Sequence, residues 1–274
     1  MEMEKLMEKY FRPNLPHIWC PGCGNGIVMA ALVRAIDALQ LDQDKTHIVS
    51  GIGCSSRTPG YLNFDTLHTA HGRALPFATG IKLAKPERNV IVVTGDGDAL
   101  AIGGNHFIHS ARRNINITVI LFNNNIYGMT GGQYSPLTPT MAKATTAPYG
   151  NVDRAFNTLD LAKGAGATFI ARGTTYHAKP LAGLIEKAIA HEGFSVVEVM
   201  TGCPIAYGKQ NKMGHPSAIL AWQRDNTVPI EAWDKLKPEQ REGKEPIGVL
   251  YHENAPEYTK EYQKIIDKHS GGAS

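Results

Sequence analysis

The pattern of apolar and polar positions is dominated by short, nearly uncharged runs rich in β-branched residues. The clearest are residues 89–94 (Asn89-Val90-Ile91-Val92-Val93-Thr94) and 117–122 (Ile117-Thr118-Val119-Ile120-Leu121-Phe122). Neither alternates, so both faces of each are expected to be buried, as in a parallel sheet covered on two sides. Residues 46–51, 168–172 and 194–200 read as further strands. Between them, apolar residues recur at helical spacing, as in Ile27, Ala31, Leu32, Ala35, Ile36 and Leu39. Further helices are expected over residues 75–83, 99–112, 158–165 and 179–191. This alternation predicts an α/β fold with a doubly wound, mainly parallel sheet.

Two stretches break the alternation. Residues 127–149 are rich in Gly, Thr and Pro and predict an ordered loop, of a length that in compact domains is often functional. From Pro204 onward the periodicity fades, which predicts one domain over residues 1–203 and an irregular C-terminal extension over 204–274 that packs on the domain or a partner subunit. A last helix over residues 257–268 would set Tyr258, Tyr262, Ile265 and Ile266 on one side. Residues 270–274 are expected to fray.

With 274 residues and 42% hydrophobic content, the chain can bury a full core. A net charge of +3, with 19% charged residues and no block of five like charges, argues against a nucleic-acid partner. The start, Met1-Glu2-Met3-Glu4-Lys5, lacks the basic and then apolar layout of a signal peptide, and no apolar run reaches the length of a membrane span. A cytoplasmic protein with no membrane association is expected.

The chemistry gathers where the strands end. Residues 89–94 lead into Gly95-Asp96-Gly97-Asp98, and 117–122 into Asn123-Asn124-Asn125, which follow Asp96 by 27 to 29 positions. In an open parallel sheet these turns meet at the carboxyl rim, where ligands bind. A carboxylate, an amide oxygen and a backbone carbonyl suit Mg²⁺ with a diphosphate, and Gly95 and Gly97 let a phosphate approach the backbone. The pattern resembles the thiamine diphosphate signature, which implies Asp96, Asn124 and the carbonyl of Ile126 as Mg²⁺ ligands. The alternative for Gly95-Asp96-Gly97 is a simple turn. The four cysteines, Cys20, Cys23, Cys54 and Cys203, all lie beside Gly or Pro in expected loops at the same rim. Convergent thiolates point to a metal centre, either structural zinc or an iron–sulfur cluster. Only Cys20 and Cys23 form a close pair, so dispersal favours a cluster held by the fold, while a redox pair remains the alternative for Cys20 and Cys23 alone.

Taken together, Cys20-Pro21-Gly22-Cys23-Gly24, Gly51-Ile52-Gly53-Cys54-Ser55-Ser56, His71-Gly72-Arg73, Gly95-Asp96-Gly97, the Asn124 segment ending Thr130-Gly131-Gly132-Gln133, and Gly202-Cys203-Pro204 resemble the β subunit of a 2-oxoacid:ferredoxin oxidoreductase. The resemblance runs from about residue 13 to residue 204. It implies a fold of the thiamine diphosphate-binding type and one 4Fe-4S cluster on the four cysteines. It also implies oxidative decarboxylation of a 2-oxoacid, with coenzyme A taking the acyl group and ferredoxin the electrons. Ile52, Gly53, Ser55, Ser56, His71, Gly95, Gly97, Asp98, Met129 and Thr130 would contact the cofactor. His71 and Asn125 would face the reaction, and Arg73 with Asn125 the substrate. For His71 and Arg73 the alternative is a surface or structural role.

The chain is similar to the compact 2-oxoglutarate members in its segment around His71 and in a Tyr251-containing tail, although pyruvate and branched-chain relatives share much of this. The glutamate that activates thiamine has no place in a single domain, so an α subunit is expected to supply it with the pyrimidine-side domain, in an (αβ)2 assembly. The other readings are a nonredox thiamine diphosphate decarboxylase subunit, which needs no cysteines, and a zinc-stabilised noncatalytic subunit.

Overall fold

Eight strands make one sheet in the computed structural model, which describes residues 3–270. They are β1 (Thr46–Ser50), β2 (Asp65–His68), β3 (Asn89–Gly95), β4 (Ile117–Asn123), β5 (Phe169–Thr174), β6 (Phe194–Met200), β7 (Thr227–Pro229) and β8 (Glu245–His252). Their order is β2-β1-β3-β4-β6-β5-β8-β7. Every pairing is parallel except that of β8 with β5.

The uncharged runs form the middle of the sheet, and the side-chain period of two divides each between two cores. Ile91 and Val93 of β3, with Ile120 and Phe122 of β4, face one core, while Val90, Val92, Val119 and Leu121 face the other. The first face is covered by α1 (Met3–Tyr10), α2 (Asn25–Ala38), the short α3 (Thr58–Tyr61) and, later in the chain, a helix at Ala178–Ala190. The second is covered by α4 (Ala74–Ala84), α5 (Gly104–Arg112) and α6 (Thr158–Ala165), after which the Ala178–Ala190 helix is α7. The turn expected to begin α5 is a π-helical segment, Asp98–Ile102, that ends at Gly103.

Three strands, β2, β7 and β8, were not apparent in the pattern. β2 is an edge strand with no buried residue, and β8 carries Pro246 and Gly248. Through β8 the C-terminal extension joins the sheet against β5, with α8 (Pro216–Asn226), α9 (Ile230–Trp233) and α10 (Pro238–Arg241) before it. The last helix, α11 (Tyr258–Ser270), leaves Tyr262, Ile265 and Ile266 exposed. Residues 271–274, expected to fray, lie outside the described residues. Tyr251 pairs with Ile170 near the start of β5, at the opposite end of the sheet from the carboxyl rim, and so does not reach a site there. Among the described residues no helix is long and apolar enough to cross a membrane.

The order places β1 beside β3, and from these neighbours the chain runs to β2 on one side and to β4 on the other. That reversal opens a crevice at the carboxyl ends, the position where doubly wound sheets bind ligands.

Candidate active site

The crevice holds a cavity of about 150 Å³ lined by the loops that follow β1, β3 and β4. Ile52, Gly53, Ser55, His71, Gly95, Asp96, Gly97, Asp98, Asn124, Ile126, Met129 and Thr130, singled out in the sequence, all border it. Asp96 is buried; its Oδ2 accepts from the Ser135 hydroxyl at 2.6 Å and its Oδ1 from Gly97 N–H at 2.9 Å. Burial pushes its carboxyl up to about 6 against these hydrogen bonds. A carboxylate in that state gains most from a cation.

Asp98 is the hub of the second wall. Its Oδ1 accepts from Gly72 N–H at 2.7 Å, from His71 Nδ1 at 2.7 Å and from Ile52 N–H at 3.2 Å, and its Oδ2 accepts from Thr94 Oγ1 at 2.7 Å. The loops after β1 and β2 are thereby fastened to the end of β3. A donating Nδ1 leaves Nε2 as the free nitrogen of His71. Gly97 is required for a reason besides phosphate access: a Cβ there would stand 2.1 Å from the Tyr127 ring, whose hydroxyl donates to the Gly97 carbonyl.

The asparagines divide their work. Asn123 donates from Nδ2 to Glu198 at 2.7 Å and accepts from Asn125 N–H, so it shapes the turn. Asn124 accepts from Ile126 N–H at 3.2 Å and borders the cavity. Asn125, expected to face the reaction, takes a left-handed backbone at φ 61° and lines a neighbouring cavity of about 300 Å³ with Cys203 and Trp222 instead. Two other expected contacts also stand apart. Arg73 turns its guanidinium to the carbonyls of Gly72 and Ile102, and Ser56 lies buried behind Ser55.

All four cysteines border a second cavity, of about 260 Å³. Cys54 follows β1, Cys203 follows β6, and Gly202 N–H donates to the Cys23 carbonyl at 3.0 Å, which seats the Cys20-Cys23 turn against the end of β6. The Trp19 indole donates to the Cys54 carbonyl at 2.6 Å. Cys203 Sγ accepts from Ala206 N–H at 3.4 Å, while the main-chain N–H groups of Asn25 and Met129 favour the thiolates of Cys23 and Cys54. Burial, followed by the neighbouring thiols, pushes Cys54 up to about 11, and burial likewise raises Cys23. These thiols deprotonate when a metal takes the proton's place. Gly128 threads between two of them, since a Cβ there would lie 3.2 Å from Cys203 Sγ and 3.7 Å from Cys54 Sγ.

The two cavities share a wall made of Asn25, Cys54, Asn124, Gly128 and Met129. Sequence reasoning missed several lining or supporting residues, among them Asn25, Phe122, Tyr127, Gly128 and Ser135. Tyr127 and Gly128 lie inside a motif already singled out, and Asn25 directly follows the Cys20-Cys23 turn. Nothing in the spacing marks Ser135.

A diphosphate-type cavity at the switch point of a doubly wound sheet defines the thiamine diphosphate-binding class of domain. The family model for the thiamine pyrophosphate enzyme C-terminal TPP-binding domain matches residues 51–199. The 2-oxoglutarate synthase subunit KorB of Methanocaldococcus jannaschii is 50% identical across 95% of this chain and 97% of its own length. That of Methanothermobacter thermautotrophicus is 46% identical across 99% and 96%. In structure, the chain is similar to a 2-oxoglutarate:ferredoxin oxidoreductase from Magnetococcus marinus with 2-oxoglutarate, coenzyme A and succinyl-CoA bound. The TM-score is 0.86 at 36% identity, over 98% of this chain and 92% of that one. The chain therefore belongs to the 2-oxoacid:ferredoxin oxidoreductase β-subunit family, alongside the 2-oxoglutarate synthase KorB subunits.

Proposed function

We propose that this chain is the β subunit of a cytoplasmic 2-oxoglutarate:ferredoxin oxidoreductase. It would convert 2-oxoglutarate, coenzyme A and oxidised ferredoxin to succinyl-CoA, CO₂ and reduced ferredoxin. The observation that carries the reading is the shared wall, in which Cys54 borders both a diphosphate-type cavity and a cavity lined by all four thiols. A decarboxylase without redox chemistry has no use for that adjacency.

The residues fit both groups. Asp96, Asn124 and the Ile126 carbonyl offer oxygen donors suited to Mg²⁺, and Ser55 Oγ is buried at the cavity wall with no hydrogen-bond partner. The four thiols fit a 4Fe-4S cluster. One zinc ion would draw sulfurs to about 3.8 Å of one another, the spacing of tetrahedral bonds of 2.3 Å. All four thiols border one cavity of about 260 Å³. The thiols border a space instead of closing on a point.

Bound there, thiamine diphosphate would supply the carbon nucleophile for decarboxylation, and the cluster a one-electron path toward ferredoxin. The chain's own part is to hold and shield. Asp96 anchors the cation, Asp98 fixes the His71 ring so that Nε2 is free, and Ile52, Phe122 and Met129 present apolar surface that excludes water. The thiamine-activating glutamate would come from an α subunit covering the cavity mouth, in an (αβ)2 enzyme.

Anaerobic co-purification with the neighbouring α subunit, followed by iron, sulfide and thiamine quantification and a 2-oxoacid panel with a low-potential dye, tests this. Asp96→Ala should lose thiamine diphosphate and keep iron, and Cys54→Ala should do the reverse. Zinc in place of iron, with no thiamine retained, refutes the reading. A preference for pyruvate or a branched-chain acid corrects its substrate.

A further inference from the structure

The residue that the cofactor reading leaves unexplained is Asn25. It is 2% exposed, stands in the first turn of α2 directly after the Cys20-Cys23 turn, and is common to the walls of both cavities. Its backbone N–H is directed toward the Cys23 sulfur and favours the thiolate there. Its carboxamide has none: Oδ1 is fully buried without a hydrogen bond. An unmade hydrogen bond at a buried amide costs about 1–3 kcal/mol, and native structures leave few such groups without a purpose. Only four buried side-chain polar atoms among the described residues lack a partner, and two of them, Asn25 Oδ1 and Ser55 Oγ, belong to residues bordering the diphosphate-type cavity.

We propose that Asn25 is the contact joining the two cofactors, its carboxamide bonded to the polar part of thiamine diphosphate and its main-chain N–H to the cluster-bound Cys23 sulfur. This inference rests on the preceding functional reading. A carboxamide brings both N–H donors and a carbonyl acceptor, so it can meet phosphate oxygens or the waters of a bound cation. Hydrogen bonds to cluster sulfurs and nearby charge set a cluster's potential. Filling the thiamine cavity then alters the field at Cys23 through one residue, and cofactor binding and cluster potential become linked quantities. Ser55, the other unpartnered group, lies in the turn that follows Cys54 and makes no such link on the α2 side.

The test uses the anaerobically prepared αβ enzyme with native Asn25, with Asn25→Ala and with Asn25→Asp. Thiamine diphosphate affinity is measured by quenching of tryptophan fluorescence, and the cluster midpoint potential by EPR-monitored titration with and without the cofactor. Both variants keep the backbone N–H, so iron and sulfide should match the native enzyme. Asn25→Ala should bind thiamine diphosphate about tenfold more weakly, as loss of one hydrogen bond to a charged group predicts. Asn25→Asp should bind it more weakly still, because a carboxylate faces a diphosphate. In the native enzyme the cofactor should shift the midpoint potential, and in Asn25→Ala most of that shift should disappear. Native affinity in both variants, or a native potential that ignores the cofactor, overturns the proposal. Loss of iron from both variants also overturns it, by making Asn25 a support of the cluster alone. A native enzyme without iron or thiamine would instead fail the functional reading itself.

Discussion

At Asp96 burial and function pull in opposite directions. Its carboxyl titrates near 6 because burial penalises the charge, so the folded chain without cation holds this proton more tightly than the unfolded chain does. The stability this group lends is whole below the ordinary carboxylate value and is lost as pH rises toward 6. The cation proposed at this site would reverse the preference, since it needs the carboxylate. Mg²⁺-dependent thiamine diphosphate affinity should therefore fall about tenfold for each pH unit below 6 and level off above it. Calorimetry between pH 5 and 8 checks this, and a flat profile removes Asp96 from the cation site. The resemblance marked Asp96 and Asn124 as cation ligands and set Asn125 toward the reaction, but it did not show that Asn123 turns to Glu198 and Asn125 to the neighbouring cavity. Adjacent residues at a strand end leave in different directions, and only the packing of β4 against β6 turns Asn123 toward Glu198. Ser135 was hidden for a related reason, because it lies in the irregular stretch after β4 and reaches Asp96 across 39 positions that include α5 and β4.

At the scale of elements, the central strands were legible because burial on both faces leaves no choice but apolar residues. Edge strands carry a weaker signal, which is why β2 and β7 went unmarked, while β8 was masked by Pro246 and Gly248 although it is paired on both sides. The attachment of β8 depends on Arg172, buried on β5, which meets Glu198 of β6 at 2.8 Å and Glu245 of β8 at 2.5 Å. Glu198 also holds Asn123 and Thr158, so one ion cluster ties β4, β5, β6 and β8 together. Removing the cation alone leaves the buried Glu198 carboxylate without its partner, facing the half-exposed Glu245. Arg172→Met should cost about 3–5 kcal/mol, which for a chain of this size lowers the melting temperature by roughly 10 °C. A change within 2 °C would show that the cluster relaxes into solvent.

For the whole molecule, the mouth of the cofactor cavity is unusually apolar. Ile52 and Met129, which line it, are 37% and 42% exposed, and Phe77 and Ile102 are exposed on the neighbouring elements. Surface of this kind is ordinarily covered by a partner. The isolated chain should bind thiamine diphosphate at least tenfold more weakly than the αβ complex, as calorimetry on the two preparations would show; equal affinities would mean that this chain alone completes the site. The placement of the thiols has one further consequence, for the order of events in biosynthesis. Cys20, Cys23 and Cys54 emerge early, but Cys203 leaves the ribosome only after β6, with the whole central sheet already made. Three thiols wait while more than half of the chain is synthesised and β6 inserts between β4 and β5. Insertion of the cluster proposed on the four thiols would then record that β6 has taken its place between β4 and β5, so that iron would reach only copies whose central strands are in order.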